Sequence, residues 1–590
     1  MISMSQSQSI RRSQFITTFG PGAILEGPKG PRLIPRPDIG LFEPNGLSPA
    51  RFEIPNQIMS IGLLGGAKIY RLPSNADLGR NANYYIYRTK IFPSWALCVS
   101  HRILYFSMHG CPQCLGDRKG RQEGIRFVRA CKRGHLDDVD WNFLIHRGKS
   151  CPNHDVFNWI GGGGALTELR LSCSECGTEV RFGQAYNHDW PCSGRKPETE
   201  PLRSSPDRGG CSEPSRIIQR QASNLRIAEI NTIFTVPKRA TRLHELLAKT
   251  PVLHAVRASP PENKGQLQKM LERLAKYNDI MPADMEEILA HEFEEILEVV
   301  DDVNQPVPTN AFDIYQEEFH SLVENSLNGY PPLKSNISPT KVLFKVDARK
   351  IMKFTLFGQQ QLRVVPIEIL HAVMVQRGYR RLDPDPRRPY VDIGFKDEAD
   401  QVWYPGAELF GEGIFITFDD IDSSIVEGTA ATKWRSLFEN PETNGYVESS
   451  FKYRGHALEL HPVFVWWHTL AHLMIRAIAI DSGYSGAALQ ERVYIEIQDA
   501  AARGGVILYA VQQGADGTLG GMISLVPSFN RILRQIDGMA SRCSNDPLCF
   551  EQKIKPGSYS GSSCYACLLL SETSCEHRNL WLDRRVLMGL

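Results

Sequence analysis

Fourteen cysteines fall in two blocks, nine between Cys98 and Cys211 and five between Cys543 and Cys575, with none in residues 212–542. Thiols bunched at short spacing hold a chain together through disulfides, redox pairs or metal ions, and compartment separates these. The opening MISMSQSQSIRRSQF has neither the apolar core nor the small-residue cleavage site of a secretory signal. The most apolar stretch, HPVFVWWHTLAHLMIRAIAI (461–480), carries three His and one Arg, which suits a buried helix better than a membrane span. The expectation is a cytoplasmic chain with no membrane partner. There disulfides are rare, so the cysteines point to metal or redox chemistry.

Spacing divides them into three groups. The first is HGCPQCLG followed by ACKRGH, giving Cys111, Cys114, Cys131 and His135, with Cys151 (and His154 beside it) as an alternative to His135. The second is CSEC followed by two single thiols: Cys173, Cys176, Cys192 and Cys211. The third is Cys549, Cys564, Cys567 and Cys575, with Cys543 spare. Two residues between thiols let a tight turn present both sulfurs to one tetrahedral ion, and a second pair arrives from elsewhere. Zn²⁺ suits such sets, and full coordination leaves no open position for a catalytic water. Two or three structural zinc sites are therefore expected. Cys98, inside the apolar WALCV, reads as a small buried hydrophobe.

A chain of 590 residues has room for roughly three to five domains. Its formal charge of +1 carries no global bias towards nucleic acid. The expected class is α+β multidomain: zinc-ribbon-like N-terminal modules, a helical middle, and a mixed α/β C-terminal domain ending in a cysteine-rich zinc site. Expected boundaries are 11–110 (β-rich), 111–240 (zinc-binding modules), 241–330 (helical), 341–450 (β-rich linker domain) and 451–590 (C-terminal domain). The helical reading rests on apolar residues at three- and four-residue intervals in GQLQKMLERLAKYNDI and PADMEEILAHEFEEILEVV.

Enzyme signatures are missing from the sequence. RGKS (147–150) has Phe143 where a phosphate-binding loop needs its first Gly, and GGGGAL (161–166) lacks a dinucleotide-binding frame. There is no HExxH and no GxSxG. His461, His468, His472 and Arg476 line one face of the apolar 461–480 helix, and they read as a stripe satisfied by loops, turned to phosphate or a partner, or holding a metal through His468 and His472, four apart but with no carboxylate between them. Arg377, Arg380, Arg381, Arg387 and Arg388, with Tyr379 and Tyr390, form the densest basic-aromatic cluster, read either as a solvated loop with incidental arginines or as a candidate surface for nucleic acid or a partner. DGTLGG (516–521) is a candidate turn near phosphate.

RRSQFITTFGPGAIL (11–25) and ACKRGHLDDVDW (130–141) resemble DrmB proteins, subunits of bacterial DISARM anti-phage systems. So do SNLRIAEINTIFTVP (223–237), RGYRRL (377–382), HTLAH (468–472), GYSGAALQER (483–492), GTLGG (517–521), CSNDPLC (543–549) and CYACLLLSETSCEHRNLWLDR (564–584). The last pieces also look like a domain at the C-termini of some superfamily 2 DNA helicases. The resemblance implies a non-catalytic subunit that partners the helicase-like ATPase DrmA, engages DNA directly or through DrmA, and works beside other DISARM subunits including a DNA methyltransferase. It also implies a four-cysteine metal set formed by Cys564, Cys567, Cys575 and one of Cys543 or Cys549. The competing expectation is a metal-dependent nuclease or other DNA-processing enzyme whose active site carries no recognisable motif.

Overall fold

The computed structural model describes residues 8–590 apart from 28–29, 42–47, 82–83, 115–120, 162–164, 203–204, 238–241, 248, 305–307, 309–310, 330–331, 335–340, 358–359, 384–388, 419–425, 427, 439–460, 499–500, 513–520, 555–558 and 572–573. Arg387, Arg388, residues 516–520 of DGTLGG and residues 162–164 of GGGGAL lie outside the described residues.

The chain is a mixed α/β multidomain protein with cysteine-rich clusters near both ends, as expected. Its framework is a sheet of eleven strands among the described residues. The elements that position the clusters are β1 (Ile227–Phe234), helix α1 (Ala311–Asn328), β2 (Gln360–Arg380), β3 (Val402–Phe418), α2 (Pro462–Ser482), β4 (Gln490–Gln498), β5 (Ala501–Gln512) and α3 (Phe529–Ser541). β2 is 21 residues long and pairs antiparallel with the 17-residue β3, from Leu362 opposite Phe418 to Val375 opposite Gly406. β3 pairs with β5, β5 with β4, and β1 joins the far end of β2, where Ile227 faces Arg380.

The centre of this sheet is buried on both faces, and there β3 and β5 carry continuous apolar runs such as Ile414–Ile416 and Val506–Ala510. The two-residue pleat sends Ile414, Ile416 and Phe418 of β3, with Val506 and Leu508 of β5, to one face, against α2. Phe415, Ile507 and Tyr509 go to the other face, against Phe319 of α1. Gly504 lets α2 approach, because a Cβ there would stand 2.3 Å from the Trp467 indole.

Helix α2 is long and apolar enough to cross a membrane by length and composition, yet 83% of its apolar window is buried inside the protein. His461 caps its first turn by accepting from Val463 N–H, Pro462 opens it, and Gly483 ends it in the left-handed conformation at φ 77°. Between Arg242 and Asn304, five helices bury their own core around Leu246, Leu267, Leu271 and Ile288. Their apolar residues fall on one stripe, as the three- and four-residue periodicity required.

One buried cation ties four segments together. Arg492 of β4 is bonded to Glu318 of α1 (2.7 Å), to Glu576 (2.8 Å) and to the Thr232 carbonyl of β1 (2.7 Å). Its guanidinium also lies 4.4 Å from the Phe234 ring centroid and 4.3 Å from that of Tyr315.

Candidate metal centres

The described residues gather cysteine and histidine into four cages, each built from two pairs. In the first, strand Trp95–Cys98 delivers Cys98 and the following turn His101, while the CPQC turn delivers Cys111 and Cys114. In the second, Cys131 and His135 flank the CKRG turn, and Cys192 and Cys211 sit opposite each other on paired strands. The third takes His146 from the end of helix Trp141–His146, with Cys151, Cys173 and Cys176. The fourth takes Cys543 and Cys549 from the loop after α3 and Cys564 and Cys567 from CYAC.

The spacings fit a tetrahedral ion. Zn–S bonds of about 2.3 Å and Zn–N bonds of about 2.0 Å put ligand sulfurs about 3.8 Å apart and sulfur–nitrogen pairs about 3.5 Å apart. Sulfur pairs lie at 3.7 Å (Cys98–Cys114), 3.8 Å (Cys151–Cys173), 3.5 Å (Cys543–Cys564), 3.7 Å (Cys549–Cys567) and 3.8 Å (Cys564–Cys567). His101 Nδ1 stands 3.3, 3.6 and 3.5 Å from Cys98, Cys111 and Cys114, and His135 Nδ1 3.3 and 3.6 Å from Cys131 and Cys192. Disulfide sulfurs would sit at about 2.05 Å; all fourteen thiols are free. In the third cage Asn142 holds His146 Nδ1 at 2.6 Å, which leaves the buried Nε2 with no hydrogen-bond partner among the described residues. That is the arrangement by which an outer partner orients a metal-ligating imidazole.

Hydrogen bonding favours a thiolate at one or more cysteines in each of three cages, while Cys192, through Cys131 and burial, and Cys567, through burial and Cys549, are pushed up. The Cys192 thiol, then the His135 ring, bring Cys131 down to about 4. Burial opposes ionisation of Cys173, yet the Cys176 backbone N–H and the His146 ring bring it to about 6. Burial likewise opposes Cys564, while Cys543 and the backbone N–H groups of Ala566 and Cys567 bring it to about 6. The thiolate is the metal-binding form. Beside the fourth cage the buried Arg584 donates to Cys549 Sγ at 3.7 Å and pairs with Asp546 at 2.7 Å.

This grouping departs from the one drawn by spacing. Cys111 and Cys114 do not meet Cys131 and His135; they meet Cys98 and His101. Cys173 and Cys176 do not meet Cys192 and Cys211; the latter complete the cage of Cys131 and His135, and Cys151 joins CSEC. Cys543 and Cys549 both enter the fourth cage, and Cys575 leaves it. The reason is topological: each cage needs two tight turns, and sheet pairing, not proximity in sequence, decides which turns meet. Cys98 is buried as expected, but among ligands. The missed donors His101 and His146 carried a readable signal, since CVSH repeats the two-residue gap of CxxC and HRGKSC is a turn with a ligand at each end.

The arginine cluster is also relocated. Arg381 is fully buried and donates to the carbonyls of Gly134 (3.0 Å), Leu225 (2.8 Å) and Gly22 (3.0 Å). Arg380 is buried against Glu229, and Arg377 donates to the Tyr390 hydroxyl at 2.9 Å. Arg380 and Arg381 therefore anchor backbone and strand pairs where nucleic acid had been expected. Arg381→Ala would orphan three buried carbonyls at about 1–3 kcal/mol each. We expect it to lower stability by about 3 kcal/mol or more in a urea titration; an unchanged midpoint contradicts the anchoring role.

The His461–Arg476 stripe turns inward as well. Arg476 donates to the carbonyls of Tyr565 (3.3 Å), Ala566 (3.0 Å) and Leu569 (3.4 Å), clasping the CYAC turn. His468 and His472 are fully buried beside Glu491 and Cys575.

Comparison with known proteins places these cages in a family context. A domain of unknown function (DUF8724) matches residues 11–227, the stretch that holds the first three cages. A crystal structure of the DUF1998 helicase MrfA bound to DNA is 10% identical over 37% of this chain and 21% of that one, with a TM-score of 0.19, a likeness too weak to carry an argument. The DISARM protein DrmB of Bacillus paralicheniformis is 25% identical over 496 residues, covering 81% of this chain and 82% of that protein. The resemblance read from the short motifs thus extends along most of the chain, and this protein is similar to the DISARM protein DrmB.

Proposed function

We propose that this chain is a zinc-stabilised, non-catalytic subunit of an anti-phage defence complex, acting beside a helicase-like ATPase and helping it bind foreign DNA. The observation that carries the reading is the likeness to DrmB over four-fifths of both chains. The cages support it from the chemical side. Each offers four protein donors, and a tetrahedral zinc so held has no position left for substrate or activated water. The residues that would hold zinc are Cys98, His101, Cys111 and Cys114; Cys131, His135, Cys192 and Cys211; His146, Cys151, Cys173 and Cys176; and Cys543, Cys549, Cys564 and Cys567. Bound zinc would supply cross-links to loops that bury little apolar surface of their own.

The competing nuclease reading needs carboxylates open to hard cations, which no cage provides. The test is binding of a single-strand-tailed duplex across a salt series, by this chain alone and with the helicase-like ATPase DrmA. Tighter binding by the pair than by either component supports the subunit reading. DNA cleavage by this chain alone, abolished by chelation, would replace it with the nuclease.

A further inference from the structure

We infer that His468, His472, Glu491 and Cys575 form a fifth zinc site, a sealed two-histidine, one-carboxylate, one-thiolate centre that clamps α2 to β4 and the terminal loop. It goes beyond the four cages and the subunit reading and would survive the failure of the latter.

The donors come from three separate elements and all four lie within 4.8 Å of one another. Glu491 Oε1 stands 2.8 Å from His468 Nε2 and 3.2 Å from His472 Nε2, and Cys575 Sγ stands 3.2 Å from His468 Nε2. His472 Nδ1 donates to the Leu568 carbonyl at 2.9 Å. With Nδ1 so engaged, a neutral ring would turn the Nε2 lone pair to Glu491 Oε1, which as a carboxylate also offers only lone pairs. Either a proton or a metal ion then has to lie between them. The Cys575 sulfur accepts backbone N–H groups from His577 and Asn579, each at 3.3 Å. Glu491 Oε2 is buried with no hydrogen-bond partner among the described residues.

A proton can bridge one pair of these atoms; a metal ion engages all four at once. Charge favours the metal too. A divalent ion with one carboxylate and one thiolate is neutral, as a site whose two histidines and glutamate are fully buried requires. Nitrogen, oxygen and sulfur donors together select a borderline late-transition ion, with zinc first. Phe464 and His577, with ring centroids 5.5 and 5.1 Å from that of His468, help wall the site off, so its role is structural.

The test counts zinc on full-length protein, by native mass spectrometry and elemental analysis after washing with a weak chelator. Five ions per chain in the wild type, and four in His472→Gln and Glu491→Gln, are expected. Should both variants fail to fold, the wild-type count decides. Four ions in the wild type, or five retained by both variants, overturns the fifth site and leaves a proton-bridged pair in its place. No bound zinc at all would overturn the four cages with it.

Discussion

Cys564→Ser is expected to release one zinc and to unfold the region around the CYAC turn. Cys564 Sγ faces Cys543 and Cys567 across the cage, so its loss leaves three thiols and the buried Arg584 around a broken site. Structural zinc contributes on the order of 10 kcal/mol, comparable to the whole stability of a folded domain at about 5–15 kcal/mol. The cage ties the loop after α3 to residues 564–568, which pack through Cys567 and Leu568 into the core around α2. The expected outcome is aggregated protein, or soluble protein one zinc short with a thermal midpoint lower by about 10 °C or more. A soluble variant with full zinc and an unchanged midpoint would contradict the fourth cage.

The second large effect is expected at Arg492. Truncation to Ala strands Glu318 and Glu576, and breaking a buried ion pair from one side costs about 3–5 kcal/mol. Burial already pushes the Glu576 carboxyl up from its ordinary value, and Arg492 is the main group holding it down. Because the network joins α1, β1, β4 and the terminal loop, urea titration of Arg492→Ala should show a midpoint shift corresponding to that range. Arg492→Met combined with Glu318→Gln should recover part of the loss, since one stranded charge is gone. Equal losses in the single and double variants would mean that the cation acts through packing on Phe234 and Tyr315 alone.

Local features of this fold were legible and long-range ones were not. The CxxC turns stood out because two thiols in one turn are a local arrangement. Their partners did not, because strand pairing brings Cys192 and Cys211 to Cys131 and leaves Cys151 for CSEC. The apolar run of α2 announced a buried helix, and the histidines on it were seen. Glu491, which gives them their meaning, lies on β4 beyond the end of the helix. The RGYRRL arginines read as surface because arginine is rarely buried without partners. Arg381 finds them in carbonyls 247 and 359 residues away. Spacing arithmetic has no access to such contacts, whereas a two-residue gap such as CVSH is readable once histidine is counted with cysteine.

The most direct test of the proposed partnership is co-elution of this chain with the helicase-like ATPase DrmA, before and after treatment with a strong chelator. The expected result is a stable complex with zinc-loaded protein that dissolves as the metal is removed. No complex at any salt concentration would contradict the partnership, and a complex indifferent to complete zinc loss would contradict the role given to the cages.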